Sequence, residues 1–133
     1  MSEVTISDTM AVGSQLVDLC RKGKERDAID KLYSPGIVSV EAYDMGPTMP
    51  KRVEGIAGVR RKAEAWEKSN EVHGRQIDGP YPHGDRFVVH FKYDVTPKGG
   101  PMAGQRVRVD ETALYKVADG KVVQEEFFYH MPG

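Results

Sequence analysis

Two glutamates in the last quarter of the chain, Glu111 and Glu125, have the settings that most suggest chemistry. Residues 106–129 read RVRVDETALYKVADGKVVQEEFFY, two long β-type runs on either side of Ala118-Asp119-Gly120. If Val107 and Val109 point inward, the two-residue period of a strand turns Glu111, Ala113 and Tyr115 inward as well. A carboxylate on the apolar face of a sheet is costly unless it has a partner or a task. Through a three-residue turn, Tyr115 is expected opposite Val123, Ala113 opposite Glu125 and Glu111 opposite Phe127. Glu125 then lies diagonal to Glu111 at roughly 7–8 Å. Two carboxylates in one pocket push their pKa values apart and divide acid and base roles. Glu111 and Glu125 are therefore the candidate catalytic pair. The structural alternative is that Arg75, Arg106 or Arg108 locks Glu111, or that a one-residue slip turns it to solvent.

Around these acids the spacing gathers aromatic and aliphatic side chains that can line a ligand site or fill a core: Tyr43, Trp66, Phe87, Val89, Phe91, Tyr93, Val109, Tyr115 and Phe127. Asp44 falls at a strand end, where site residues often lie, but reads more simply as a solvated turn aspartate. His73, His83, His90 and His130 have no close pairing of the kind a zinc site uses. Gly99-Gly100 lies in a hairpin with no helix behind it, so no phosphate cradle is expected. No cofactor and no metal are expected.

The elements that must position these groups follow from periodicity and breakers. Met10, Gly13, Leu16, Val17 and Cys20 keep helical spacing over 7–21, with Ser7 as N-cap. A second helix is expected over 25–33, burying Ala28, Ile29, Leu32 and Tyr33 and stopped by Ser34-Pro35-Gly36. Residues 37–43 read as a first strand and 44–51 as a loop with Gly46, Pro47 and Pro50. Ile56, Val59, Ala63 and Trp66 define a third helix, with Arg60, Arg61, Lys62, Glu64, Glu67 and Lys68 assigned to its solvated side. Strands follow over 72–80 and 86–96. In the latter, Phe87, Val89, Phe91, Tyr93 and Val95 share one face and Val88, His90, Lys92 and Asp94 the other. A mobile loop over 97–104 leads to the two terminal strands. Sequential strands without intervening helices imply a mainly antiparallel sheet in an α+β layer packing.

With 133 residues the chain fits a single domain, 1–133, with one core. Lysine plus arginine total 19 and aspartate plus glutamate 20, a net charge of -1, which argues against a nucleic-acid partner. Arg21, Lys22, Lys24, Arg26 and Lys31 are interleaved with Glu25, Asp27 and Asp30, as on a solvated helix face. The single cysteine, Cys20, sits on an apolar helix side and reads as a small buried hydrophobe. One cysteine suits a reducing cytoplasm. No secretory leader is evident, and no window approaches the ~18 apolar residues of a membrane span.

With these elements in order, the chain resembles the SnoaL-like branch of the nuclear transport factor 2-like (cystatin-like α+β) superfamily. The local cues are KERDAIDKLY at 24–33 running into a strand at 38–41, GIAGV at 55–59 opening the third helix, and DGKVV at 119–123. The resemblance implies a curved, mixed but mainly antiparallel sheet wrapped around the long helix as a cone with an apolar pocket. It also implies homodimers, and activities ranging from isomerases, dehydratases and polyketide cyclases to non-catalytic binding modules. Phe87, Val89, Phe91 and Tyr93 are similar to the pocket strand of ketosteroid isomerases, and Glu111 to their buried acid. Their base aspartate falls at Ala42 here, with Asp44 two residues on, and their helix-borne phenol falls near Leu16. Steroid isomerisation is accordingly not expected.

Two readings follow. In the first, the chain is a cytoplasmic small-molecule-binding protein whose apolar pocket supports cofactor-independent acid/base chemistry of isomerase, hydratase or cyclase type, with Glu111 as acid or base. In the second, it is a non-catalytic ligand-binding or dimeric assembly module whose pocket acids are structural. A Glu111 carboxyl open to a cavity favours the first; one locked by arginine favours the second.

Overall fold

The computed structural model describes residues 6–47 and 49–130. The elements run α1 (Ile6–Arg21), α2 (Glu25–Leu32), β1 (Tyr33–Val40), β2 (Arg52–Glu54), α3 (Ile56–Ser69), β3 (Asn70–His83), β4 (Arg86–Pro97), β5 (Val107–Ala118) and β6 (Lys121–Phe128). The strands form one six-stranded sheet in the order β2-β1-β6-β5-β4-β3. Its neighbours are antiparallel except β1 and β6, which are parallel. This is the α+β architecture and mixed sheet expected from sequence. The sheet is not closed: β2 and β3 are its two edges.

Register shifts interrupt the ladders within Tyr33/Val38, Val72/Gly74, Asp78/Tyr81 and Lys116/Val117. Each such irregularity bends its strand and raises the local twist. Together they let long strands wrap around the helices rather than lie flat. On the inner face the β4 side chains Phe87, Val89, Phe91, Tyr93 and Val95 are all buried, as their alternation requires. They meet Val12, Leu16 and Val17 of α1 and Val59 of α3 in one core. Gly13 permits the closest approach of α1 to the sheet. A Cβ there would come within 2.9 Å of Pro80 and 3.2 Å of Phe87.

Several boundaries differ from the sequence expectation. Helix α1 begins at Ile6, so Ser7 is inside it rather than capping it, and the residue before Ile6 lies outside the described residues. Helix α2 ends at Leu32, one residue before the expected Tyr33, and Ser34, Pro35 and Gly36, expected as its stop, belong to an irregular start of β1. The three-residue β2, which pairs with Val38–Val40 across an edge, escaped the periodicity because it is too short to show one. Strand β3 runs to His83, leaving a two-residue turn at Gly84 and Asp85.

Candidate functional site

The interior wall of the sheet and the facing helices line an open cavity of about 1330 Å³. This is above the roughly 300–1,000 Å³ usual for small-molecule sites. Leu16, Cys20, Ala28 and Ile29 contribute from the first two helices and Val59, Lys62, Ala63 and Trp66 from α3. Phe91, Tyr93, Val109, Glu111, Tyr115, Glu125 and Phe127 contribute from the strands, and Met45, Met49 and Met102 from the loops. Trp66 packs on Tyr93 with ring centroids 5.2 Å apart, and Tyr93 stacks on Phe91 at 5.9 Å.

Glu111 is on this wall. It pairs across the ladder with Phe91, and Val109 and Tyr93 pair beside it. None of the three candidate arginines holds it. Arg75 meets Glu25 at 3.3 Å, Arg106 grips Asp94 with two hydrogen bonds of 2.8 and 2.6 Å, and Arg108 makes no ion pair with it. Among the described residues no hydrogen bond or ion pair reaches Glu111, and its carboxyl faces the cavity. Burial pushes its pKa up to about 8, and the neighbouring Glu41 and Glu125 add to the rise while Lys62 opposes it. At neutral pH this carboxyl therefore carries its proton.

Glu125 is in a different position from the one expected. The turn uses two residues, Asp119 (φ 52°) and Gly120 (φ 73°), with Ala118 opposite Lys121. Left alone, that turn would set Tyr115 against Gln124 and send Glu125 to the outer face. The irregularity at Lys116/Val117 passes over Val123, restores the inward face and sets Tyr115 opposite Glu125 and Ala113 opposite Phe127. Glu125 is thus four residues along the ladder from Glu111, roughly 13 Å of strand, rather than diagonal to it. Its side chain is sealed, at 3% exposure, and both its oxygens are taken: Oε1 accepts from the Tyr33 hydroxyl and Oε2 from Ser39 Oγ at 2.6 Å. Burial raises its pKa against the opposing pull of Lys62 and the two hydroxyls. The same burial and carboxylate hold the Tyr33 hydroxyl firmly neutral.

The polar partner that sequence reasoning missed is Lys62. Its ammonium donates to Glu41 Oε2 at 2.7 Å and to Ser39 Oγ, and stands 5.3 Å from the centroid of the Phe127 ring. Both Lys62 and Glu41 have side chains only 7% exposed. The other Glu41 oxygen accepts from Tyr129 Oη at 2.9 Å. A chain of hydrogen bonds therefore runs Tyr33–Glu125–Ser39–Lys62–Glu41–Tyr129 through the interior, with Glu111 beside it and outside it. The sequence did carry a signal. Lys62 is three residues after Val59 and four before Trp66, on the apolar stripe of α3. Ile37, Ser39 and Glu41 alternate on the inner face of the β1 segment. The resemblance sought an acid at Ala42, and the acid is its neighbour Glu41.

Of the remaining candidates, Trp66, Phe91, Tyr93, Val109, Tyr115 and Phe127 are on the cavity wall. Phe87 and Val89 are not: both are 0% exposed in the core, and Phe87 stacks on Tyr115 with centroids 4.8 Å apart. Phe87 lies against α1, where a Cβ at Gly13 would come within 3.2 Å of it. Tyr43 is 40% exposed outside the wall, its ring 5.8 Å from that of Tyr129. Asp44 is exposed and accepts a hydrogen bond from the Gly46 amide at 3.1 Å, as a turn aspartate does. Cys20 is buried, and desolvation lifts its pKa far above that of a reactive thiol. His73 bonds Thr96 at 2.7 Å and His90 bonds Asp110, both away from the cavity. Among the described residues there is no group of three or more His, Cys, Asp or Glu side chains suited to a metal ion, and no helix is long and apolar enough to cross a membrane.

The fold, the inward Glu111 and the match of residues 7–129 to the SnoaL-like domain model agree. The chain belongs to the SnoaL-like domain family. A structure from Mesorhizobium loti, provisionally described as a SnoaL-like polyketide cyclase (with carbohydrate phosphatase in brackets), is 37% identical over 90% of this chain and 97% of its own, with a TM-score of 0.81. At lower identity the likeness is one of fold. An NTF2-like protein of unknown function from Burkholderia pseudomallei is 14% identical over 98% of this chain and 92% of its own, with a TM-score of 0.73. A protein of ketosteroid isomerase-like fold from Catenulispora acidiphila, in complex with trimethylamine, is 16% identical over 87% and 82%, with a TM-score of 0.65. A comparison with curated proteins finds none that matches.

Proposed function

We propose that this SnoaL-like domain binds a small organic molecule in its cavity and exchanges a proton with it through Glu111, in a cofactor-independent reaction of isomerase, hydratase or cyclase type. The observation that supports the reading is the Glu111 carboxyl, which faces a large, mainly apolar cavity with no hydrogen-bond or ion-pair partner among the described residues. A general acid or base works best when its pKa is near the operating pH, and Glu111 is raised to about 8. Glu41 and Glu125 have both oxygens occupied by donors of the chain. Of the three, Glu111 is the one whose hydrogen bonding a ligand would complete. Glu125 is on this reading a structural acid and not the second member of a catalytic pair. A wholly structural role would favour pairing Glu111 with an arginine, whereas Arg75 pairs with Glu25 and Arg106 with Asp94.

The test begins with whatever small molecule copurifies with the protein, identified by mass spectrometry after denaturation. That molecule is returned to the protein in D₂O. The reading expects deuterium to enter a carbon–hydrogen position faster with the wild type than with Glu111→Gln. Equal rates with the two proteins, or no molecule retained at all, would overturn it.

The same reading includes a cytoplasmic location, supported by the single buried Cys20, and a homodimer formed through the outer face of the sheet. Tyr81 of β3, Val88 of β4 and Leu114 of β5 are register partners that make an apolar row across that face. Phe128, 48% exposed, ends the neighbouring row beside Thr112.

A further inference from the structure

The cavity wall carries Arg26, Arg75 and Arg108 with Glu25, Glu67 and Asp110, and the charged groups that act on Glu111 are a smaller, unevenly matched set. Glu41, Glu111 and Glu125 supply three carboxyls, and Lys62 is the one ammonium that acts on all of them. Glu41 has the ammonium itself, and Glu125 has two hydroxyls. Glu111 has neither, and it is ringed by π-systems. Phe91 is its partner across the ladder, and Tyr93 and Tyr129 are close enough for its charge to raise their pKa values. Phe127 and Trp66 complete the wall. Lys62 itself stands over the Phe127 ring, so this wall already holds one cation against an aromatic face.

We propose that the cavity takes an organic cation, an amphipathic molecule whose alkylammonium centre rests against Glu111 and the aromatic rings around it. This rests on the reading that the cavity binds a small organic molecule and names the class of that molecule. A carboxylate together with aromatic faces is the arrangement that recognises alkylated ammonium groups. Beside Glu111 an anionic ligand would meet the carboxyls of Glu41 and Glu125 as well, and the Lys62 ammonium there is already held by Glu41. A neutral acceptor would take one hydrogen bond from protonated Glu111 and use the rings for apolar contact alone. A cation uses both the carboxylate and the rings.

The arrangement couples binding to protons. Glu111 retains its proton in the empty cavity up to a pH of about 8, so a permanently charged ligand releases that proton to the buffer as it binds. The other groups facing Glu111 are Glu41 beyond β1, Lys62 of α3, Tyr93 of β4, Tyr115 of β5, Glu125 of β6 and Tyr129 after it. The three carboxyl and ammonium groups of the hydrogen-bonded chain, Glu41, Lys62 and Glu125, keep their own donors and acceptors. The tyrosines are held neutral by burial. Affinity for the cation should therefore rise by up to about tenfold per pH unit below pH 8 and level off above it.

The experiment compares benzyltrimethylammonium with neopentylbenzene, its uncharged carbon isostere, from pH 6 to 9. Trp66, the chain's single tryptophan, lies on the wall and reports occupancy by fluorescence, and the melting temperature reports it independently. The ammonium compound should bind at least about tenfold more tightly than the isostere at pH 8.5, with a preference that shrinks toward pH 6. Glu111→Gln should abolish the preference and its pH dependence while still binding neopentylbenzene, which also shows that the variant is folded. If the isostere binds as well as the cation at every pH, or the preference survives in Glu111→Gln, the cation assignment is overturned while small-molecule binding stands. If neither probe binds, the small-molecule reading falls and the proposal with it.

Discussion

The Lys62 ammonium lies 2.7 Å from Glu41 Oε2, and the two side chains are each 7% exposed. An ion pair taken this far out of water repays its desolvation only through close geometry and further hydrogen bonds. Both are present: Ser39 accepts from Lys62, and Tyr129 donates to Glu41. The pair ties α3 to the end of β1 and so fixes the helix against the sheet wall that carries Glu111.

Removing one member of that pair should cost far more than removing both. Lys62→Met leaves Glu41 buried without its cation, and Glu41→Gln leaves the ammonium buried without its anion. Each should destabilise the fold by about 3–5 kcal/mol. The double variant should lie well short of the sum. Urea unfolding of the four proteins measures the coupling, and additive losses would show that the two groups do not act as a pair.

The stability of the protein should depend on pH through Glu111. Its folded pKa of about 8 is above the unfolded value of 4.5. The folded state therefore holds a proton that the unfolded state has lost, and stability falls as pH rises between those limits. The slope reaches at most about 1.4 kcal/mol per pH unit from this one group. Glu111→Gln keeps the shape of the protonated acid and never titrates. Its melting temperature should match the wild type near pH 4, exceed it increasingly up to pH 8, and hold a constant margin above. Parallel profiles for the two proteins would mean that Glu111 titrates as an ordinary exposed carboxyl.

What the sequence made legible, and what it hid, divides along physical lines. The β4 face, the helix stripe of Val59, Ala63 and Trp66, and the inward Glu111 depend on periodicity within one element, and local sequence records that directly. The position of Glu125 depends on turn length and on the irregularity that skips Val123. Either feature alone would have reversed the face, and neither is written in an alternation of apolar residues. The charge of Lys62 points to solvent, although its spacing places it among the apolar positions. Its burial requires Glu41 and Ser39, which are more than twenty residues earlier in the chain. Phe87 and Val89 share a face with Phe91 and Tyr93, but the packing of α1 decides which part of that face is core and which is cavity.

Tyr129 offers a milder perturbation of the same network. Its hydroxyl donates to Glu41 at 2.9 Å and lies 3.8 Å from the Met45 sulfur. Tyr129→Phe removes one hydrogen bond to a charged acceptor that keeps its ammonium, so the expected loss is about 1–2 kcal/mol. Glu41 would then be held from one side only, and proton exchange with a bound molecule should slow by more than the stability change suggests. Thermal melts and the deuterium-exchange rate measured side by side separate these effects. An unchanged rate would leave Tyr129 with a structural role alone.

The outer face of the sheet should hold two copies of the chain together. Tyr81 is 58% and Phe128 48% exposed, large apolar surfaces that are unusual on a sheet face turned to water. The row Tyr81–Val88–Leu114 crosses three strands, and charged neighbours such as Glu126, opposite Leu114, border it. A two-fold arrangement sets this row against its own copy, with the same patch used on both sides. Leu114 is at its centre and points away from the cavity, so Leu114→Arg introduces like charges across the two-fold while leaving the inner core untouched. Light scattering at micromolar concentration should give the wild type about twice the 14.8 kDa chain mass and the variant the chain mass itself. The variant should retain the wild-type circular dichroism and its occupancy of the cavity. A wild-type particle of single-chain mass would remove the dimer, and a dimer that survives Leu114→Arg would move the interface to another face.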